Sequence, residues 1–190
     1  MSAIISKIIL RLAGFRVSGG LPPEIKKCVI LVAPHTSNWD FVIGKLGFIV
    51  LKTKAKFLIK KESFKFPMGN IIKSYGGIPV DRSARNNLTE TCIQMFNEND
   101  EFFLVITPEG TRSYSEHWKK GFYRIACGAK VPIAFGYIDY KTKKGGIGGM
   151  FYPCGDFEKD FEIIKEFSSK ITPRFPEKFN LSPQFSENKK

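Results

Sequence analysis

Two short runs of unbroken apolar residues, Cys28 to Ala33 (CVILVA) and Phe102 to Ile106 (FFLVI), constrain this chain most. Neither alternates polar with apolar, so neither suits a strand with one wet face. Both read as strands buried on two faces, which is how strands of a helix-covered parallel sheet read. Further strands are expected at 55–59, 76–80, Val131 to Ile138 and 147–153. Helical patterns fall between them at 38–52, 64–74, 88–96, Lys119 to Cys127 and Glu158 to Ser169. Asn87-Leu88-Thr89-Glu90 has capping-box spacing, and Gly128 is the expected helix stop. Strand and helix alternation predicts an α/β fold: one domain with a mostly parallel central sheet flanked by helices.

Residues 1–15 add an N-terminal amphipathic helix, with Ile4, Ile5, Ile8, Ile9, Leu12 and Phe15 mostly on one side and Lys7 and Arg11 elsewhere. Such a helix either packs on the core or lies in a membrane surface. The chain divides into this helix and its linker (1–20), a main domain (21–172) and a Pro-rich charged tail (173–190) expected to be partly disordered. No stretch has the roughly 18 apolar residues of a spanning helix. No signal peptide is recognised either, so the expected location is the cytoplasmic face of a membrane, held peripherally. The four cysteines lie far apart without a C-x-x-C pair, which suits buried free thiols rather than a metal site. A net charge of +12 favours anionic partners: nucleic acid, an anionic membrane surface or phosphorylated substrates.

In an open parallel sheet, ligands gather at the carboxyl ends of the strands. His35, Lys60, Arg82 and Glu109 to Arg112 each follow a predicted strand. His35 and Asp40 stand where a strand hands over to a helix that Ser37 or Asn38 can cap. An Nδ1–H to carboxylate contact would leave Nε2 free to take a proton from an alcohol. The same pair equally fits a core histidine beside a capping carboxylate. Pro108-Glu109-Gly110-Thr111-Arg112 offers a permissive glycine, backbone N–H groups, a hydroxyl and a guanidinium, a set suited to phosphate. It also fits a strand-to-helix turn with a surface salt bridge. Lys60 and Arg82 fit either an anionic headgroup or ordinary surface, and His117 reads as a surface histidine.

The order of these motifs is more specific than any one of them. H-x-x-x-x-D at His35–Asp40, G-x-P-V-D-R at Gly77–Arg82, P-E-G-T-R at Pro108–Arg112 and V-P-I at Val131–Ile133 together resemble the glycerolipid acyltransferases. The likeness is greatest to the lysophosphatidic acid acyltransferases. It departs at Pro34, where many relatives have Asn, and at Thr107, where Phe is usual. The resemblance implies fatty acyl transfer from acyl-CoA or acyl-carrier protein to a lysophospholipid hydroxyl, most simply that of lysophosphatidic acid. Another lyso-lipid or glycerol 3-phosphate is the alternative acceptor. By position, His35 is the implied base and Asp40 its orienting partner. Arg82, Glu109, Gly110, Thr111 and Arg112 are the implied phosphate ligands, with Lys60 as a headgroup contact. No cofactor or metal is implied beyond the acyl-donor substrate. The competing class, a basic nucleic-acid-binding module, rests on charge and aromatic content alone. No RNP-like, zinc-finger or heptad signature supports it, and no nucleic-acid partner is expected.

Overall fold

The computed structural model describes residues 1–65, 68–80 and 88–186. A seven-stranded sheet forms its centre, in the order β1-β8-β7-β2-β5-β3-β4. The strands are β1 (Arg16–Gly19), β2 (Lys27–Val32), β3 (Ala55–Lys60), β4 (Gly77–Val80), β5 (Phe102–Ile106), β7 (Ile133–Asp139) and β8 (Lys144–Phe151). Five of its six neighbouring pairs are parallel and only β7 with β8 is antiparallel, so the mostly parallel sheet expected from the apolar runs is present. The helices are α1 (Ala3–Leu12), α2 (Asn38–Val50), α3 (Met68–Ser74), α4 (Leu88–Glu98), α5 (Gly121–Ala129) and α6 (Phe157–Ser169). A small second sheet pairs β6 (His117–Lys119) with β9 (Gln184–Ser186).

The unbroken apolar character of β2 has its reason in the layers. Val29 and Leu31 face a core shared with Cys92 and Phe96 of α4, Phe122 and Ile125 of α5, and Phe161 and Ile164 of α6. Cys28 and Ile30 face the opposite core, with Phe48 of α2. Residues 28–31 are therefore almost wholly buried. Each large aliphatic side chain among them contributes about 1.5–3 kcal/mol by burial.

Two sequence expectations need adjusting. Gly128 does not stop α5, which ends at Ala129 with Lys130 in the left-handed conformation at φ 54°. A Cβ at position 128 would stand 2.4 Å from Ile93 Cδ1, so glycine there lets α5 close onto α4. Residues 140–143 form the turn between β7 and β8, and β8 begins at Lys144. Residues 173–186, expected to be partly disordered, lie on the domain: Pro173 is buried and β9 pairs with β6.

The first helix presents its apolar stripe outward. Ser6 and Leu10 are its buried positions, whereas Leu12 is 85% and Ile4 73% exposed, with Ile5 and Ile8 about half exposed. No helix among the described residues is long and apolar enough to cross a membrane.

Candidate active site

The loop after β2 carries His35 just ahead of the first turn of α2. Ser37 caps that helix: its Oγ accepts the Trp39 N–H, and the Asp40 carboxylate accepts the Ser37 N–H in return. Asp40 thus closes a capping box and meets the positive end of the helix. Its Oδ2 accepts the Thr36 and Ser37 N–H groups, each at 2.9 Å, and lies 3.2 Å from His35 Nδ1. The imidazole approach is oblique, short of hydrogen-bond alignment, although the two groups are in ion-pair range. Oδ1 accepts the Tyr140 hydroxyl at 2.6 Å. Burial pushes the Asp40 carboxyl up. His35, the Tyr140 hydroxyl and the Ser37 N–H more than offset that and hold it below the ordinary aspartate value.

Glu109 approaches the same loop from the end of β5. Its Oε1 accepts the His35 N–H at 3.1 Å across 74 residues of sequence, which fixes the backbone that carries the imidazole. Its Oε2 is buried without a hydrogen-bond partner. Burial pushes the Glu109 carboxyl up to about 8; the His35 N–H opposes this, and the nearby Asp40 charge adds to it. At neutral pH Glu109 therefore stands mainly as the neutral acid, the form that tolerates an unpaired buried oxygen best. Thr36 braces the loop on another side, its Oγ1 accepting the Phe175 N–H at 3.2 Å.

His35 and Asp40 open into a narrow apolar cavity of about 100 Å³ between α2 and the sheet. Its walls include Val32, Phe48, Phe57, Val105 and Ile138. It follows α2 from Asp40 to Leu51, roughly 16 Å at 1.5 Å per residue. Gly136 lies in the wall, where a Cβ would meet Val32 Cγ2 at 2.8 Å. Lys45 also borders the cavity, and its ammonium donates to the Tyr75 carbonyl at 2.7 Å. Cys28 and Cys92, pushed up to about 12 and about 11 by burial, are inert thiols.

The sequence-predicted residues separate into two groups. His35, Asp40 and Glu109 converge on one loop. Lys60, the last residue of β3, and Gly110, Thr111 and Arg112, beyond the carboxyl end of β5, lie exposed on the expected sheet edge, with no hydrogen bond to that group among the described residues. Gly110 takes a left-handed turn at φ 66°, as its place after Glu109 requires. Thr111 Oγ1 accepts the Ser113 N–H, and Arg112 forms no ion pair among the described residues. Arg82 lies outside the described residues. His117 is exposed on β6.

A family model described as Acyltransferase matches residues 15–135, well over half of the chain. The chain belongs to the acyltransferase family. No curated protein matches it. Among solved structures, a similar one is the 1-acyl-sn-glycerophosphate (LPA) acyltransferase PlsC from Thermotoga maritima. The likeness has a TM-score of 0.61 and covers 88% of this chain and 75% of that one at 20% identity. At such identity it establishes the acyltransferase fold. The family match takes in His35, Asp40 and Glu109 and ends inside β7. Tyr140 and Phe175, which reach this acyltransferase's loop from farther along the chain, lie beyond it. Neither carries a sequence signal: each is one aromatic residue among many.

Proposed function

We propose that this acyltransferase moves a fatty acyl group from an acyl thioester, acyl-CoA or acyl-carrier protein, to the hydroxyl of a lysophospholipid, most simply lysophosphatidic acid. His35 is the general base. The observation that carries this reading is a histidine at the mouth of an apolar cavity, its Nδ1 turned to a carboxylate held on both oxygens. That arrangement leaves Nε2 as the proton acceptor. The acceptor oxygen attacks the thioester carbonyl carbon, its proton passes to Nε2, the C–S bond breaks, and the sulfur leaves as thiolate to take that proton. A thiol with an ordinary pKa of about 8.5 is a good leaving group, so the step balances without a cofactor. No acyl-enzyme is needed. The two hydroxyls of the loop, on Thr36 and Ser37, already accept backbone N–H groups as a brace and a cap.

The cavity along α2 suits an acyl chain. Arg112, Thr111, Gly110 and Lys60, exposed at the sheet edge, are the proposed anion-binding groups, together with Arg82, which lies outside the described residues. The outward apolar stripe of α1, flanked by Lys7 and Arg11, supports docking on an anionic membrane surface, where amphiphilic acceptors reside.

The test is thiol release from an acyl-CoA with a panel of acceptors: lysophosphatidic acid, glycerol 3-phosphate and a phosphate-free lyso-lipid. Release with the first and little with the last supports the reading. Equal rates with all three would remove the phosphate-binding assignment. Arg112→Ala should raise the acceptor KM well beyond the effect of a distant Lys→Ala.

A further inference from the structure

The Asp40 carboxylate is held by more than the loop it belongs to. Its Oδ2 serves two backbone N–H groups of its own helix cap, but its Oδ1 is held from the far side of the fold. The terminal torsion of an aspartate is soft, so anchoring one oxygen leaves the carboxylate plane poorly fixed. The donor to Oδ1 is Tyr140, immediately after β7, at 2.6 Å.

Tyr140 is itself firmly seated. Its backbone N–H donates to the Thr172 carbonyl at 2.9 Å. Its ring meets Phe15 edge-on with centroids 5.4 Å apart. The turn that follows is tied by Asp139, which accepts the Lys141 and Thr142 N–H groups and the Thr142 hydroxyl. Burial and the Asp40 charge both push the phenol above its ordinary range, opposed by Arg174, so it stays a neutral donor.

We propose that Tyr140 is a positioning residue for the reaction: its hydroxyl fixes the plane of the Asp40 carboxylate and thereby the tautomer and direction of His35. This rests on the general-base reading of His35. The donation also draws negative charge away from the side facing the imidazole. Removing it leaves a more charge-concentrated carboxylate, which favours the protonated imidazole and so the inactive form. The charged and titratable groups around this pair are His35 and Glu109 on the loop side, and Arg174 and Lys143 beside the Tyr140 ring.

The experiment compares the parent, Tyr140→Phe, Asp40→Asn and the double variant in thiol release, across pH and both substrate concentrations. Tyr140→Phe should lower kcat about tenfold, the scale of one hydrogen bond to a charged group, with each KM within about twofold. The acidic limb of its rate profile should move to higher pH. In the Asp40→Asn background the Tyr140→Phe change should have almost no further effect, because the two act as one unit. A parent-like kcat and acidic limb, or an equal loss in both backgrounds, would overturn the proposal. A variant that fails to fold is replaced by 3-fluorotyrosine placed at 140, a stronger donor, which should move the acidic limb to lower pH. An unmoved limb there overturns it as well. His35→Ala, run alongside, separates the readings: full activity in that variant defeats the base assignment itself. An inactive His35→Ala with a parent-like Tyr140→Phe defeats only the role of Tyr140.

Discussion

The backbone N–H of His35 donates to Glu109 Oε1 at 3.1 Å, joining the first apolar strand's loop to the end of the second. β2 and β5 are parallel neighbours, with Leu31 opposite Ile106, so the two strand ends emerge side by side. Glu109 thus serves the histidine's backbone rather than its ring.

That role predicts an unusual pH response. The Glu109 carboxyl is raised from 4.5 to about 8 in the folded chain. A raised value means the folded state holds the proton more tightly, so the stabilisation is full below 4.5 and lost as pH rises towards about 8. Glu109→Gln keeps an oxygen for the His35 N–H and removes the titration. Melting curves should show the parent losing stability relative to Glu109→Gln across that window. Parallel curves would disprove the protonated state.

Asp40 behaves in the opposite sense. Its carboxyl is held below the ordinary value, so its contribution is present above 3.8 and lost as pH falls through the folded value. Asp40→Ala removes a capping partner and strands the Thr36 and Ser37 N–H groups, a loss of about 1–3 kcal/mol. Denaturant unfolding at neutral pH checks the size. A change below a few tenths of a kcal/mol would contradict the capping-box account.

Gly136 tests the cavity. A methyl there meets Val32 at 2.8 Å and Ile30 at 3.0 Å, so Gly136→Ala should destabilise by about 1–3 kcal/mol through overpacking. It should also slow long-chain donors more than short-chain ones. An equal loss for both would place the acyl chain elsewhere.

The exposed stripe of α1 tests the membrane reading. Ile8→Asp with Leu12→Asp changes outward positions and leaves the buried Ser6 and Leu10 alone. Binding to vesicles containing anionic lipid should fall at least tenfold, with the melting temperature nearly unchanged. Unaltered vesicle binding would sink the docking surface.

Much of this was legible in the residues. Apolar runs marked β2 and β5 as buried on both faces, and alternation with helical patterns led to the parallel sheet. The motif at 35–40 left a core histidine with a capping carboxylate set against a general base. In the structure Asp40 caps α2 and faces His35 at once, so the capping carboxylate and the histidine's partner are the same group. What stayed hidden depends on long-range placement. Tyr140 reaches Asp40 across 100 residues and Phe175 reaches Thr36 across 139, with no periodicity to announce either. Composition was equally silent about residues 173–186: proline and charge suggested a loose tail, yet Pro173 is buried and the Phe175 N–H braces Thr36 of the histidine loop. The outward stripe of α1 was equally beyond reach, since its pattern is the same whichever side the apolar face meets.

The most direct test is single-turnover thiol release from acyl-CoA with lysophosphatidic acid, comparing the parent with His35→Ala at equal membrane binding. The account predicts a loss of at least a hundredfold in rate, with acceptor binding retained, as expected for removal of a general base. A His35→Ala rate within a few-fold of the parent would contradict it.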